Sequence, residues 1–260
     1  MSDSYAKPWS LGPFRRSLAR PVRAGKVGVG ILVFNALGDL KHGLPSVLAH
    51  GKPEYEYLVF DNGCDAETPA WLAAHYAQVP HVRSFRNTGC WNARNRMLEH
   101  FAARGCEFVL FQDQDVRWRG DAAAVMRATF ARYPDTGCVT WKLATGTMGK
   151  HRYDATGAVA PPESPGMCCM FSVPALLAGK DPGLIAWHDG YGLCFRGDSD
   201  VCFSLWSKGY KTRIVLGPCL IEHEHPHRGI ASLGGRVLAE QTFSERVFQA
   251  RRRKYGWPSL

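Results

Sequence analysis

Short, nearly unbroken apolar runs alternate along this chain with segments whose apolar positions recur every three or four residues. Residues 27–34 (VGVGILVF) and 57–60 (YLVF) are rich in β-branched and aromatic side chains, and they stop at polar positions, Asn35 and Asp61-Asn62-Gly63. Runs of this kind suit strands buried on both faces. Between them Leu40, Leu44, Val47 and Leu48 fall at near-helical spacing over residues 37–49, which predicts a β-α-β opening. The alternation continues with a helix at 70–77, a short strand at 82–85, a helix at 90–104 and a strand at 108–111 that runs into Asp113. Beyond it the pattern predicts a helix at 122–132, a strand at 138–141 and a Gly-, Pro- and Thr-rich loop over a site at 144–165. An apolar run at 167–173, a short helix at 201–208, a strand at 212–216 and a basic amphipathic helix at 237–254 complete it. Strands alternating with helices predict an α/β fold with a mainly parallel central sheet, whose ligand sites lie beyond the carboxyl ends of its strands. Asn35, Asp61 and Asp113 occupy such ends.

Length changes this picture only by bounding it: 260 residues suit one substantial domain, placed at 26–236. Residues 1–25, with Pro8, Gly12, Pro13 and Pro21, are expected to form an irregular basic arm, and 237–260 a basic C-terminal helix. With 45% hydrophobic and 21% charged residues the chain reads as globular, and no apolar stretch approaches the ~20 residues of a membrane span. The expected location is cytoplasmic. The 9 cysteines are scattered and match no zinc or disulfide spacing, so they are expected to be buried free thiols. The net charge of +9 gathers at the ends: Lys7, Arg15, Arg16, Arg20, Arg23 and Lys26 oppose only Asp3, and Arg251 to Lys254 form a closing run. Such clusters suit contact with a phosphate backbone, an anionic membrane face or an acidic glycan, and equally a solvated, solubilising tail.

Asp113-Gln114-Asp115 carries the clearest chemistry. Two carboxylates one residue apart after a buried strand need a cation or many hydrogen-bond donors, and oxygen ligands on a turn suit a hard divalent ion such as Mg²⁺ or Mn²⁺. The other reading is a polar turn. His223, His225 and His227 alternate along an extended segment and share one face. A dinucleotide-binding turn is disfavoured, because Gly28 and Gly30 lie inside the first strand with no glycine at Val33. A non-catalytic nucleic-acid-binding module is disfavoured by the carboxylate pair, which repels phosphate.

Taken together, VGVGILVFN, YLVFDNGCDAET, RNTGCWNARNRML, VLFQDQDV, PGMCCMFSV, FRGDSDVCFSLWSKGYK, IEHEHPHRG and the closing RRRKYGW resemble the inverting, family-2-type glycosyltransferases of the GT-A fold, over residues 27–229. The resemblance implies a Rossmann-like, nucleotide-diphospho-sugar transferase fold and a metal-dependent transfer to an acceptor hydroxyl. It places Phe34, Asn35, Asp61 and Asn62 around the nucleotide base and ribose. Arg86, Asn87, Gly89, Arg94 and Asn95 then close the donor pocket, Arg94 either towards phosphate or as an ion-pair residue. Asp113 and Asp115 would hold Mn²⁺ or Mg²⁺, with Asp113 also facing the donor and His223 or His225 completing the metal shell. The family's catalytic-base motif aligns with residues 197–200, where Gly197 replaces the usual Glu. That leaves Asp198 first and Asp200 second as the base, although Asp198 is also placed to cap the helix near Val201. The implied donor is a nucleotide-diphosphate sugar, foremost a UDP-sugar. A glycan or lipid-linked sugar is the first acceptor, a hydroxymethylated DNA base the alternative, and peripheral contact with an anionic surface is compatible with both.

Overall fold

The computed structural model describes residues 21–143, 153–154, 156–160, 167–193, 195–223 and 234–258. Its elements in chain order are β1 (Arg23–Val33), α1 (Leu37–His50), β2 (Glu56–Asp61), α2 (Glu67–His75), β3 (His81–Arg83), α3 (Cys90–Ala103), β4 (Cys106–Asp113) and β5 (Val116–Trp118). There follow α4 (Ala122–Arg132), β6 (Thr136–Thr140), β7 (Lys142–Leu143), β8 (Tyr153–Asp154), β9 (Cys168–Ser172) and α5 (Val173–Leu177). The last are α6 (Gly197–Ser207), β10 (Lys211–Ile214), β11 (Ile221–His223) and α7 (Val237–Tyr255).

Among the described residues, seven strands form the central sheet in the order β10-β6-β9-β4-β1-β2-β3. β1 runs parallel to β2 and β4, β2 to β3, and β10 to β6, as the alternation predicts. β9 is the exception, antiparallel to β4 on one side and β6 on the other. The carboxyl ends of β1, β2 and β4 therefore share one edge, and β5 pairs there with β11 in a small antiparallel ribbon. Among the described residues, the tightest glycine contact in the sheet is at Gly28: a Cβ there would overlap the Phe101 ring, so its absence lets α3 lie close to β1.

The core has one cluster on each side of the sheet. Under α3, α6 and α7 lie Trp91, Met97, Phe101, Phe111, Phe171, Trp187, Phe203, Phe248 and Trp257. Under α1, α2 and α4 lie Ile31, Leu40, Leu44, Leu72, Trp118, Met126 and Trp141. Burying a Leu, Ile or Phe side chain fully contributes about 1.5–3 kcal/mol, so these faces decide where the helices sit.

Four expectations change. β1 starts at Arg23, inside the stretch read as irregular, because Arg23 donates its N–H to Gly105 O at 2.9 Å. α6 starts at Gly197 rather than 201: Phe195 and Arg196 hold φ of 69° and 61°, turning the chain sharply into the helix before its apolar run begins. Asp198 thus lies in the first turn and does not cap the helix; the cap position is Arg196, which makes no side-chain cap bond. The closing basic run divides, with Arg251 buried and Arg253 and Lys254 exposed. The loop expected at 144–165 falls mostly outside the described residues, and its described part bridges from Thr156 to Leu216 and from Val159 to Arg213, beside β10. The described cysteines are free thiols, with Cys64, Cys106, Cys138, Cys168, Cys169 and Cys202 buried.

Candidate active site

Asp113 ends β4 and Asp115 closes the two-residue turn into β5. The turn is held by its neighbours: Gln114 accepts the Phe34 N–H at 2.9 Å and donates to Phe34 O at 3.3 Å, tying it to the end of β1. Below it Gln112 accepts from Trp118 Nε1 at 2.6 Å and donates to Val116 O at 3.3 Å. The β5–β11 register sets His223 opposite Val116, which brings His223 Nε2 to 3.1 Å from Asp115 Oδ2. The other oxygen of Asp115, Oδ1, is buried without a hydrogen-bond partner. A buried carboxylate oxygen left bare is costly unless a cation meets it, so the donor set fits a hard divalent ion. Among the described residues no group of three or more His, Cys, Asp and Glu side chains is arranged to enclose one. Such an ion would rest on one or two protein groups and take its remaining ligands from phosphate and water, as Mg²⁺ commonly does.

Arg94 links this turn to α6. It projects from α3, is almost wholly buried, forms an ion pair with Asp198 through NH1, and lies 3.5 Å from Asp113 Oδ1 through NH2. Burial alone would lower its pKa, but Asp198 and Asp113 together keep it raised. Burial pushes Asp113 up to about 6 against the opposing pull of Arg94, with Asp115 and Asp198 adding to the rise. Burial raises Asp198 as well, partly offset by Arg94. The guanidinium also lies 5.2 Å from the centre of the Trp91 ring. That ring covers the α-carbon of Gly197 so closely that any Cβ there would overlap it. The departure from glutamate at 197 is thus matched by an indole occupying its space.

The residues expected to meet the nucleotide are joined by hydrogen bonds into a connected wall. Asn35 takes a left-handed φ of 51° after β1 and accepts the Asp65 N–H through Oδ1 at 3.1 Å. Asp61 is buried; its Oδ1 accepts from Gly63 N and Cys64 N at 3.1 and 2.7 Å, and Oδ2 lies 3.3 Å from Arg83 Nε. Asn62 donates to Asn87 Oδ1 at 3.0 Å and accepts both the N–H and the hydroxyl of Thr88. Asn87 in turn accepts the Gly89 N–H at 2.9 Å. Phe34 is half-buried and Arg86 exposed at the rim.

Two expected residues lie away from this wall. Asn95 is fully buried and clamps the Trp187 backbone, donating to its carbonyl at 2.9 Å and accepting its N–H at 3.1 Å. Asp200 is fully buried against Arg251 and Tyr191 on the far side of α6. His225 lies outside the described residues.

The sequence profile described as glycosyl transferase family 2 matches residues 29–173, more than half of the chain. The chain belongs to this family. Similar solved structures share its GT-A fold. TarS residues 1–349 from S. aureus align at 14% identity with a TM-score of 0.59, covering 88% of this chain and 72% of that one. A mannosyltransferase from Pyrobaculum calidifontis, solved with GDP-Man and Mn²⁺, aligns at 20% identity and a TM-score of 0.58, covering 85% and 66%. GalNAc-T7, solved with UDP, GalNAc and Mn²⁺, aligns at 12% identity and a TM-score of 0.55, covering 73% and 42%. No curated protein sequence matches.

Membership makes this chain a glycosyltransferase, and the match spans β1 to β9. Asp198, Asp200 and His223 lie beyond it. Sequence reading missed Gln114 as the tie to β1, Trp91 as the ring under Arg94, and Arg251 as a buried partner. Gln114 had a signal, its place between two aspartates, and so had Trp91, three residues before Arg94 on one helix, whereas Arg251 has its partner 51 residues away. No helix among the described residues is long and apolar enough to cross a membrane.

Proposed function

We propose that the chain transfers a sugar from a nucleotide-diphosphate sugar to an acceptor hydroxyl, inverting the anomeric carbon, with Asp198 as general base and a divalent cation held by Asp113 and Asp115. The observation that carries this reading is Arg94, which bridges Asp113 on the metal turn to Asp198 on α6. Two carboxylate sites at opposite ends of one buried guanidinium suit a reaction in which one side neutralises a leaving diphosphate and the other accepts a proton.

Asp198 takes the proton of the acceptor hydroxyl as its oxygen bonds to the anomeric carbon, and the bond from that carbon to the diphosphate breaks with its electrons on the leaving group. Arg94 keeps Asp198 oriented. Asp113 and Asp115, with His223 on Asp115 Oδ2, are the residues that would hold Mn²⁺ or Mg²⁺. When bound, such an ion supplies Lewis-acid stabilisation of the developing diphosphate charge. Asn35, Asp61 and Asn62 with the 86–89 segment form the wall proposed to meet the nucleotide, a UDP-sugar first. The proposed acceptor is a glycan or lipid-linked sugar.

The test is a hydrolysis screen of UDP- and GDP-sugars with Mn²⁺ or Mg²⁺, repeated in excess chelator, followed by the preferred donor with saccharide, lipid-linked and hydroxymethylated-DNA acceptors. We expect release of nucleoside diphosphate that stops with chelator and returns with metal. Absence of turnover across the panel, or undiminished turnover with metal verified as nil, overturns the reading; transfer to DNA alone overturns the acceptor class.

A further inference from the structure

The carboxylate two residues beyond Asp198 serves a different partner. Asp200 meets Arg251 with both oxygens, the NH2 contact to Oδ1 being 3.0 Å, and Tyr191 donates its hydroxyl to Oδ2 at 2.8 Å. Arg251 comes from the last turns of α7, also donates to Gly183 O at 2.6 Å, and lies over the Tyr255 and Trp257 rings at 5.2 and 5.5 Å. Trp257 stacks on Phe203 of α6 at 5.3 Å and donates to Ser207 Oγ at 2.7 Å, gripping the far end of the same helix.

α7 also holds the segment that leads into α6. Glu240 accepts the Leu193 N–H at 2.8 Å, and Glu245 accepts from Arg196 Nε at 2.6 Å. Leu193 O receives the Cys90 N–H at 3.0 Å at the start of α3, the helix that carries Arg94. None of these groups reaches the metal turn.

At 3.6 residues per turn, side chains two apart on a helix point about 200° away from each other. Tying Asp200 backwards therefore turns Asp198 towards the site. A buried ion pair is seldom more stabilising than well-packed apolar residues, so stability alone does not account for this one. We infer that Arg251 is a positioning residue: its two-pronged hold on Asp200 fixes the rotation of the first turn of α6 and so aims the Asp198 carboxylate at Arg94 and the acceptor. This rests on Asp198 being the base.

The experiment uses the full chain, with release of nucleoside diphosphate from the nucleotide sugar it hydrolyses fastest, in Mn²⁺. The variants are Arg251→Lys, Tyr191→Phe and the double Asp200→Leu/Arg251→Met, which removes both buried charges together. Each is checked for its melting temperature and for nucleoside-diphosphate affinity by calorimetry. In the double variant we expect kcat to fall ~10- to 100-fold with donor KM and nucleotide affinity unchanged, the signature of a misaimed group. Arg251→Lys, which keeps the charge and loses the fork, should fall between it and the wild type, and Tyr191→Phe should lose several-fold. A folded double variant with wild-type kcat overturns the inference, as does a parallel loss of kcat and nucleotide affinity. If the double variant does not fold, wild-type kcat in both Arg251→Lys and Tyr191→Phe overturns it equally. Asp198→Asn is measured beside them: full turnover there removes the base assignment itself, whatever the Arg251 variants do.

Discussion

Asp198→Asn separates proton transfer from binding, because an amide keeps a hydrogen-bonding oxygen for Arg94 and cannot accept the acceptor's proton. Turnover should fall ~10²- to 10⁴-fold, or about 3–5 kcal/mol of transition-state stabilisation, with nucleotide affinity retained by calorimetry. Asp115→Asn should do the reverse, losing metal-dependent nucleotide binding first, since an amide is a poorer ligand for a hard cation. Gly197→Glu supplies the side chain expected there from the family resemblance, yet it would drive the Trp91 ring off the α6 start. We expect it to destabilise by ~1–3 kcal/mol in urea titration and to lower turnover, with Trp91→Leu in the same chain recovering part of the stability. An undisturbed single variant would mean that the indole does not hold this space. At this scale the legible residues were those defined by their own strand end: Asp113, Asp115, Asp61 and Asn62 stand where a buried run meets a turn. Asn95 and Asp200 were not legible, because the Trp187 backbone and Arg251 that occupy them lie 92 and 51 residues away.

The elements test the packing that sets the site. Gly28→Val should cost about 1–3 kcal/mol in urea titration, because Phe101 and α3 must move off β1. Gly38→Ala, where nothing lies within 4 Å, is the control and should be neutral or slightly stabilising. Equal losses from both would remove the close-approach account of Gly28. Periodicity gave α1, α3, α4 and α7 nearly their observed limits: the first three carry an apolar stripe towards the sheet, whereas α7 packs on α6 with only Ser244, Phe248 and Arg251 buried. It misplaced the start of α6, whose first turn is set by two left-handed residues rather than by a stripe, and it left the direction of β9 open. An apolar run fully buried on both faces reads the same in either direction. The histidine alternation meets β11 only at His223, with His225 and His227 outside the described residues, and its partner strand β5 has only three residues and no periodic signal of its own.

For the whole molecule, ligand linkage offers a test independent of turnover. A nucleoside diphosphate at ~100 times its Kd should add about 2.7 kcal/mol to the folded state and raise the melting temperature when Mn²⁺ is present. The same nucleotide with chelator should move it little, because Asp113 and Asp115 then present only negative charge to the phosphates. An equal shift in both conditions would place nucleotide binding away from the Asp113–Asp115 turn.

The place of β9 in the sheet constrains how the chain reaches this state. β4 ends at Asp113 and β6 at Thr140, but the strand that joins them, Cys168–Ser172, is made later than either. During synthesis two strands with unpaired edges must wait, on either side of a gap, for a third to enter between them. Non-local pairing of this kind is slow, and exposed edges invite pairing with other chains. A nascent chain stalled before Ser172 is therefore the species most prone to aggregate. Pulse-labelled hydrogen exchange during refolding should protect β1, β2 and β4 before β6 and β10, with the two halves of the sheet becoming one only when β9 locks in.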